Sequence, residues 1–178
     1  HWARRDEVRA RSDATWKHGV GLASQVWYGG GGPPSYAWIR LGSDGRATVV
    51  AAMQDIGTGS KTAVQQIRAE ELGLPLDHVE ISAGDSARGP YAAISAGSST
   101  IPSMGPAVRA AAHDAARQVI EIAAQRYDKE ERTLSLKGGK VVCSDGGSWP
   151  LVEVGGLLED AQILGKGARG PNPTGMQV

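Results

Sequence analysis

Apolar and polar residues alternate in two neighbouring segments, Tyr36-Ala37-Trp38-Ile39-Arg40-Leu41 and Ala47-Thr48-Val49-Val50-Ala51-Ala52, on either side of Gly42-Ser43-Asp44-Gly45. A period of two flanking an Asp-Gly turn predicts a β-hairpin. Ala63, Ile67 and Leu74, with Val64 and Leu72 nearby, then give one apolar side of a helix that Gly73 and Pro75 stop. Val79-Glu80-Ile81-Ser82-Ala83 alternates again and reads as a half-buried strand. From Ser103 to about Arg126, the residues Met104, Val108, Ala111, Ala115, Val119, Ile122 and Ala123 recur at helical spacing, with Pro106 accommodated in the first turn. Leu134-Ser135-Leu136 and Lys140-Val141-Val142-Cys143 form a last hairpin-like pair around Gly138-Gly139. The order is strand, strand, helix, strand, helix, strand. Both helices can lie on one face of a small mixed sheet, which predicts an α+β two-layer domain.

The flanks read differently. Residues His1 to Ser12 have helix-forming spacing and read as the exposed end of a helix, and Gly19 to Trp27 as an apolar strand or extended segment. Gly29-Gly30-Gly31-Gly32-Pro33-Pro34 suits neither helix nor central strand and is read as a flexible joint, the alternative being a loop that hugs a ligand. The stretch Gly165 to Val178 is rich in Gly and Pro and reads as a linker. The expected organisation is residues 1–28 as a flank, 29–164 as the α+β domain and 165–178 as the linker.

At 178 residues the chain has room for one domain with a core, or one lobe of something larger. Lys+Arg and Asp+Glu balance at 19 each, so nothing points to nucleic acid, and no run approaches the ~20 apolar residues of a membrane span. Cys143 is the only cysteine, which excludes an intrachain disulfide framework and a Cys-rich metal or cluster site within the chain. His1, His18, His78 and His113 share no metal-ligand spacing, and Glu70-Glu71 and Glu130-Glu131 read as solvated helix faces. No metal site and no catalytic set is expected within these residues.

The 25 glycines change the picture, because much of the excess sits in loops, and Gly57, Gly59 and Gly97 lie in two loops that each feed a helix. Gln54-Asp55-Ile56-Gly57-Thr58-Gly59-Ser60-Lys61-Thr62 follows a strand, and Ser95-Ala96-Gly97-Ser98-Ser99-Thr100 precedes the long helix. Such loops let backbone approach an anion while the helix start aims N–H groups at it; a single loop of this kind is equally a capped turn. A nucleoside-triphosphate P-loop fits poorly, since the two glycine positions of that motif hold Ser60 and Asp55. No Ser occupies a Gly-x-Ser-x-Gly elbow. The residues by themselves describe an anion- or cofactor-binding module, with a free-standing nucleotide-binding module as the rival.

Gln54 to Gly59, Ala69-Glu70-Glu71-Leu72-Gly73-Leu74-Pro75, Gly84-Asp85-Ser86, Ser95 to Ser99 and Gly105-Pro106-Ala107-Val108, in this order and spacing, resemble the molybdenum-binding subunit of the xanthine dehydrogenase and aldehyde oxidase family. The resemblance covers roughly residues 16 to 178. It implies a molybdenum–molybdopterin cofactor, often the cytosine dinucleotide form in bacterial members, that oxidises an aldehyde, purine or other N-heterocycle with oxygen from water. It also implies FAD and [2Fe-2S] clusters on partner subunits or domains, the remainder of the molybdenum subunit as partner, a dimer of the assembled enzyme, and a cytoplasmic or periplasmic setting. The implied cofactor contacts are Asp55, Ile56, Gly57, Thr58 and Gly59 in the first loop, and Ser95, Gly97, Ser98, Ser99 and Thr100 in the second. The amides of Gly57 and Gly59 and the hydroxyls of Thr58, Ser98, Ser99 and Thr100 are the expected donors. Thr58 departs from the Gln that xanthine dehydrogenases commonly carry. The family's base, a Glu in a Gly-Glu motif, has no match after Gly165, so the chain is expected to be a fragment or one part of a split subunit, and catalytically silent alone.

Overall fold

In a computed structural model describing residues 2–27, 29, 32, 34–156 and 162–170, a short exposed helix α1 (Arg5–Arg9) precedes the first strand. The alternation at 35–51 becomes the hairpin β1 (Ser35–Leu41) and β2 (Ala47–Ala51), with Ile39 opposite Val49 and Trp38 opposite Val50. Asp44 Oδ1 accepts the Arg46 amide at 3.0 Å, and Gly45 takes the positive φ of 72° that the tight turn requires. Helix α2 (Ser60–Leu72) leads to β3 (Val79–Ala83), which pairs parallel to β2. Helix α3 (Thr100–Tyr127) is followed by β4 (Leu134–Lys137), β5 (Lys140–Cys143), β6 (Ser148–Pro150), the short α4 (Leu151–Gly156) and β7 (Ile163–Arg169).

Two sheets result. The larger has the order β3-β2-β1-β7, with Ser35 opposite Arg169 and Leu41 opposite Ile163. Helix α3 crosses β1 and β7 on one face of this sheet, and α2 packs on that helix and β3. The smaller, antiparallel sheet β4-β5-β6 is joined to the end of α3 by a Tyr127–Trp149 ring stack with centroids 4.1 Å apart and by Lys129 Nζ to Asp145 Oδ2 at 2.8 Å. The α+β architecture and the order of the six elements from β1 to β4 follow the sequence pattern; the division into two sheets and the strands β6 and β7 do not.

Three further expectations are corrected. Residues 165–169 belong to a strand paired along its length with β1 rather than to a linker, while 171–178 lie outside the described residues. Gly19 to Trp27, read as a strand or an extended segment, forms no strand. Helix α3 begins at Thr100, so Pro106 sits in its second turn, where its exposed position lets the ring project into solvent. Of the Gly29–Pro34 stretch read as a joint, residues 30, 31 and 33 lie outside the described residues.

Close approach explains why β7 is poor in side chains. A Cβ built on Gly165 falls against the Ala111 carbonyl and 2.8 Å from the Ala115 Cβ, and one on Gly167 falls against the Ala107 carbonyl. Small residues on both sides bring helix and strand backbones together. The core then runs from Ile39, Leu41 and Val49 to Val64, Leu72, Met104, Val108 and Val119.

On α2 the buried face is Ser60, Val64, Arg68 and Leu72, with Ile67 only half-buried. Arg68 is fully enclosed. Its Nη1 donates to the Ala47 carbonyl at 2.7 Å and the Glu80 carbonyl at 3.3 Å, tying helix to sheet. Burial pushes its guanidinium down to about 10, partly opposed by Glu80, so it stays charged at neutral pH.

Helix α3 offers a direct check on core and rim. Val108 is fully buried and Ile122 half-buried. Val108→Ala is expected to cost about 2–3 kcal/mol and Ile122→Ala nearer 1 kcal/mol in denaturant melts. Equal losses for the two would place the helix in a different rotation.

Candidate functional site

The first glycine loop is organised by its own carboxylate. Asp55 Oδ1 accepts the amides of Gly57 at 3.0 Å, Thr58 at 3.0 Å and Gly59 at 3.2 Å, while Oδ2 accepts the Lys61 amide at 3.0 Å. Gly57 at φ 94° and Gly59 at φ 74° turn their N–H groups inward, a geometry that side chains resist. The Lys61 amide bond is the main reason the Asp55 carboxyl sits below its ordinary range, and desolvation opposes it; the amides of Gly57, Gly59 and Thr58 add to the lowering. The loop is thus an anion cradle already filled by the protein. The Gly57 and Gly59 amides, expected to contact a cofactor, donate to Asp55.

Gln54 joins this loop to the second. Its carbonyl accepts Ser60 Oγ at 3.2 Å and Ser95 Oγ at 3.0 Å, and its Oε1 accepts the Ser95 amide at 3.2 Å. In the second loop Gly97 and Ser98 both adopt positive φ, 56° and 57°. For Ser98 this is an uncommon conformation, and it leaves the side chain exposed. Ser99 is buried and its Oγ donates to the carbonyls of Ala96 at 2.7 Å and Ile94 at 3.2 Å, so this hydroxyl shapes the loop rather than facing a ligand.

Between the loops lies a pocket of about 360 Å³, open to solvent. Ile56, Thr58, Gly59, Ser60 and Ala63 form one side; Ser95, Ala96, Gly97, Ser98, Thr100, Ile101 and Pro102 form the other. Of the ten residues expected at the site, Ile56, Thr58, Gly59, Ser95, Gly97, Ser98 and Thr100 line it, whereas Asp55, Gly57 and Ser99 do not. Gln54, Ser60, Ile101 and Pro102 were not singled out by sequence. The only signal for Gln54 was its place at the head of the motif.

The starts of both long helices meet here, with different occupancy. At α2 the Lys61 amide is satisfied by Asp55. At α3 the N-cap residue Ser99 makes no side-chain cap, so the first amides and the positive end of a 28-residue helix are left open beside the pocket. Among the described residues the hydroxyls of Thr58, Ser98 and Thr100 make no protein hydrogen bond. The pocket therefore offers three free hydroxyls and one open helix end, flanked by apolar Ile56, Ile101 and Pro102, and can receive an oxygen-rich anionic group with an apolar or ring portion. Among the described residues no cluster of His, Cys, Asp and Glu converges to hold a metal ion, and no helix is long and apolar enough to cross a membrane.

The chain is similar to one of the subunits of nicotinate dehydrogenase from Pseudomonas putida, 32% identical over 117 residues that make up 66% of this chain and 10% of that protein. It is similar also to the aldehyde oxidoreductase molybdenum-binding subunit PaoC of Escherichia coli K12, 48% identical over 52 residues, 29% of this chain and 7% of that one. The matched stretches thus span a tenth or less of the length of these relatives. The crystal structure of quinoline 2-oxidoreductase from Pseudomonas putida 86 shares the fold, with a TM-score of 0.68 at 23% identity over 78% of this chain and 19% of that one. The family described as the molybdopterin cofactor-binding domain matches residues 1–167, from the exposed arm through to β7, and the chain belongs to that family.

Proposed function

We propose that this chain is the cofactor-holding portion of a molybdenum-dependent oxidoreductase of the xanthine dehydrogenase and aldehyde oxidase type. The observation that carries the reading is the meeting of both glycine loops over one pocket at the open start of α3. Molybdopterin carries a phosphate and a polar ring system, and the donor set fits both. The hydroxyls of Ser98 and Thr100 with the first amides of α3 would hold the anionic end, Thr58 would reach the same group from the opposite wall, and Ile56, Ile101 and Pro102 would cover the ring portion. Asp55 and Gln54 act at one remove, holding the two loops at their observed separation.

When bound, the group supplies oxygen insertion and takes up the substrate's electrons. The chain's own part is to orient it and to keep water from its flank. The substrate class is an aldehyde, a purine or another N-heterocycle, a reading supported by the names of the two curated relatives, which refer to nicotinate and to aldehyde. The remainder of the molybdenum subunit and FAD- and [2Fe-2S]-bearing components complete the enzyme, assembled as a dimer. A nucleoside-triphosphate site is disfavoured by the first loop, whose amides Asp55 already occupies.

Ser98→Ala combined with Thr100→Val, made in the complete enzyme, tests the reading. Hydrogen bonds to a charged group contribute about 1.5–3 kcal/mol each, so losing two weakens retention by on the order of 100-fold or more. Pterin and molybdenum content per polypeptide is expected to fall accordingly, with the melting temperature nearly unchanged. Normal loading of both would remove the α3 start as the anchoring point.

A further inference from the structure

Residues 2–27 form an arm whose hydrogen bonds close on themselves. Asp13 Oδ1 accepts the amides of Thr15 at 2.7 Å and Trp16 at 2.6 Å, and Ser12 Oγ accepts the His18 amide at 2.9 Å. Helix α1 buries no residue. Beyond it, Gly19 to Trp27 makes no hydrogen bond to any described residue. The exposures are extreme for apolar side chains, 84% for Leu22, 100% for Val26 and 73% for Trp27, with Trp16 at 70%. Folded domains seldom leave such a series in water unless another surface takes it up.

The pattern along the arm names the mode of binding. In an extended chain Val20, Leu22, Ser24 and Val26 project to one face, and Gly19, Gly21 and Ala23 to the other. An apolar series at Val20, Leu22 and Val26, an opposite face that is small from Gly19 to Ala23 and then carries Gln25 and Trp27, and free backbone groups along the segment suit strand addition to a sheet edge: main-chain hydrogen bonds for affinity and alternate side chains for pockets.

Two observations narrow the occupant. The family match begins at residue 1, so the arm belongs to the family's own domain, and the matched relatives are several times longer than this chain. The edge strand β3 of this sheet turns Glu80 and Ser82 outward from the helix layer, poor partners for Leu22 and Val26 in a second copy, and on β7 the charged Lys166 stands between Leu164 and Ala168 on the outward face.

We infer that residues 19–27 are a docking strand that adds to an open sheet edge on the remainder of the longer molybdenum subunit, with Leu22 and Val26 seated in apolar pockets of that edge. The identity of the occupant rests on the function proposed above; the docking itself rests on the arm.

Hydrogen exchange on the complete, assembled polypeptide tests it. Amides of residues 19–27 are expected to exchange at least about 100-fold more slowly than unstructured chain. Leu22→Asp with Val26→Asp should abolish this protection while the 36–51 hairpin keeps its own. Unprotected exchange of 19–27 in the assembled polypeptide overturns the inference. So does protection that rises and falls with protein concentration, which would assign the strand to a second copy. Pterin content measured on the same sample separates the two readings: a protected arm without cofactor leaves the docking standing and counts against the molybdenum reading, and an unprotected arm with full cofactor does the opposite.

Discussion

Gly165→Ala, the addition of one methyl group, is expected to cost more than about 3 kcal/mol. Overpacking commonly costs about 1–3 kcal/mol because side chains and backbone shift to make room. Here the added carbon meets the Ala111 carbonyl, the Ala115 amide nitrogen and the Ala115 Cβ, groups fixed to the backbone of a 28-residue helix rather than the ends of flexible side chains. Strand and helix must separate along much of their contact. At about 2–4 °C per kcal/mol for a chain of this size, the melting temperature should drop by roughly 6–12 °C, a large part of the ~5–15 kcal/mol that holds a domain folded. Gly156→Ala serves as control, since a Cβ there meets nothing within 4 Å among the described residues. A Gly165→Ala protein that melts within a degree or two of the parent would show that α3 lies farther from β7.

Asp55→Ala is expected to have the largest effect on the site. Four amides lose their acceptor at once, which leaves the Ser60 Oγ bond to the Gln54 carbonyl to hold the course of the loop from Gly57 to Lys61. If the ordered loop falls to about a tenth of the population, apparent cofactor affinity falls about tenfold, while the core, which the loop does not enter, keeps its cooperative melt. The pH dependence follows from the lowered Asp55 carboxyl. A carboxylate whose folded value lies below its unfolded value of about 3.9 contributes its full ordering above that value and loses it as pH falls through the folded one. Loop protection by hydrogen exchange should therefore be flat from neutrality to about pH 4 in the parent, collapse below that, and be low at all pH in Asp55→Ala. Cofactor content and loop protection that survive the substitution would mean that Gln54 alone holds the loops.

The hairpin and α3 were legible because their burial is periodic: every second residue of β1 from Ser35 to Leu41 is buried, and Met104, Val108, Ala111, Ala115 and Val119 keep to one side of α3. Strand β7 was not, because Gly165 and Gly167 carry no strand preference of their own; what makes them strand is the helix lying against them. Arg68 shifted the reading of α2 for a related reason. A charge at a buried position hides the Ser60, Val64, Arg68, Leu72 stripe and leaves Ala63 and Ile67 looking like the inner face. The two loops at the pocket announced themselves by composition, but composition does not say which donors are already taken. That Asp55 satisfies the Gly57 and Gly59 amides, and that Ser99 bonds backward to Ala96, depend on the course of the chain.

The pairing of Ser35 with Arg169 also sets the order of events as the protein is made. Translation delivers β1, β2, α2, β3 and α3 long before β7, so the nascent domain waits with one edge of β1 unpaired and the alanine stripe of α3 uncovered until that strand leaves the ribosome. Pairings so distant along the chain form slowly and prolong the exposure of sticky surface. The stretch that reads most like a spacer is therefore the piece whose arrival closes the open edge of β1 and covers the alanine stripe of α3.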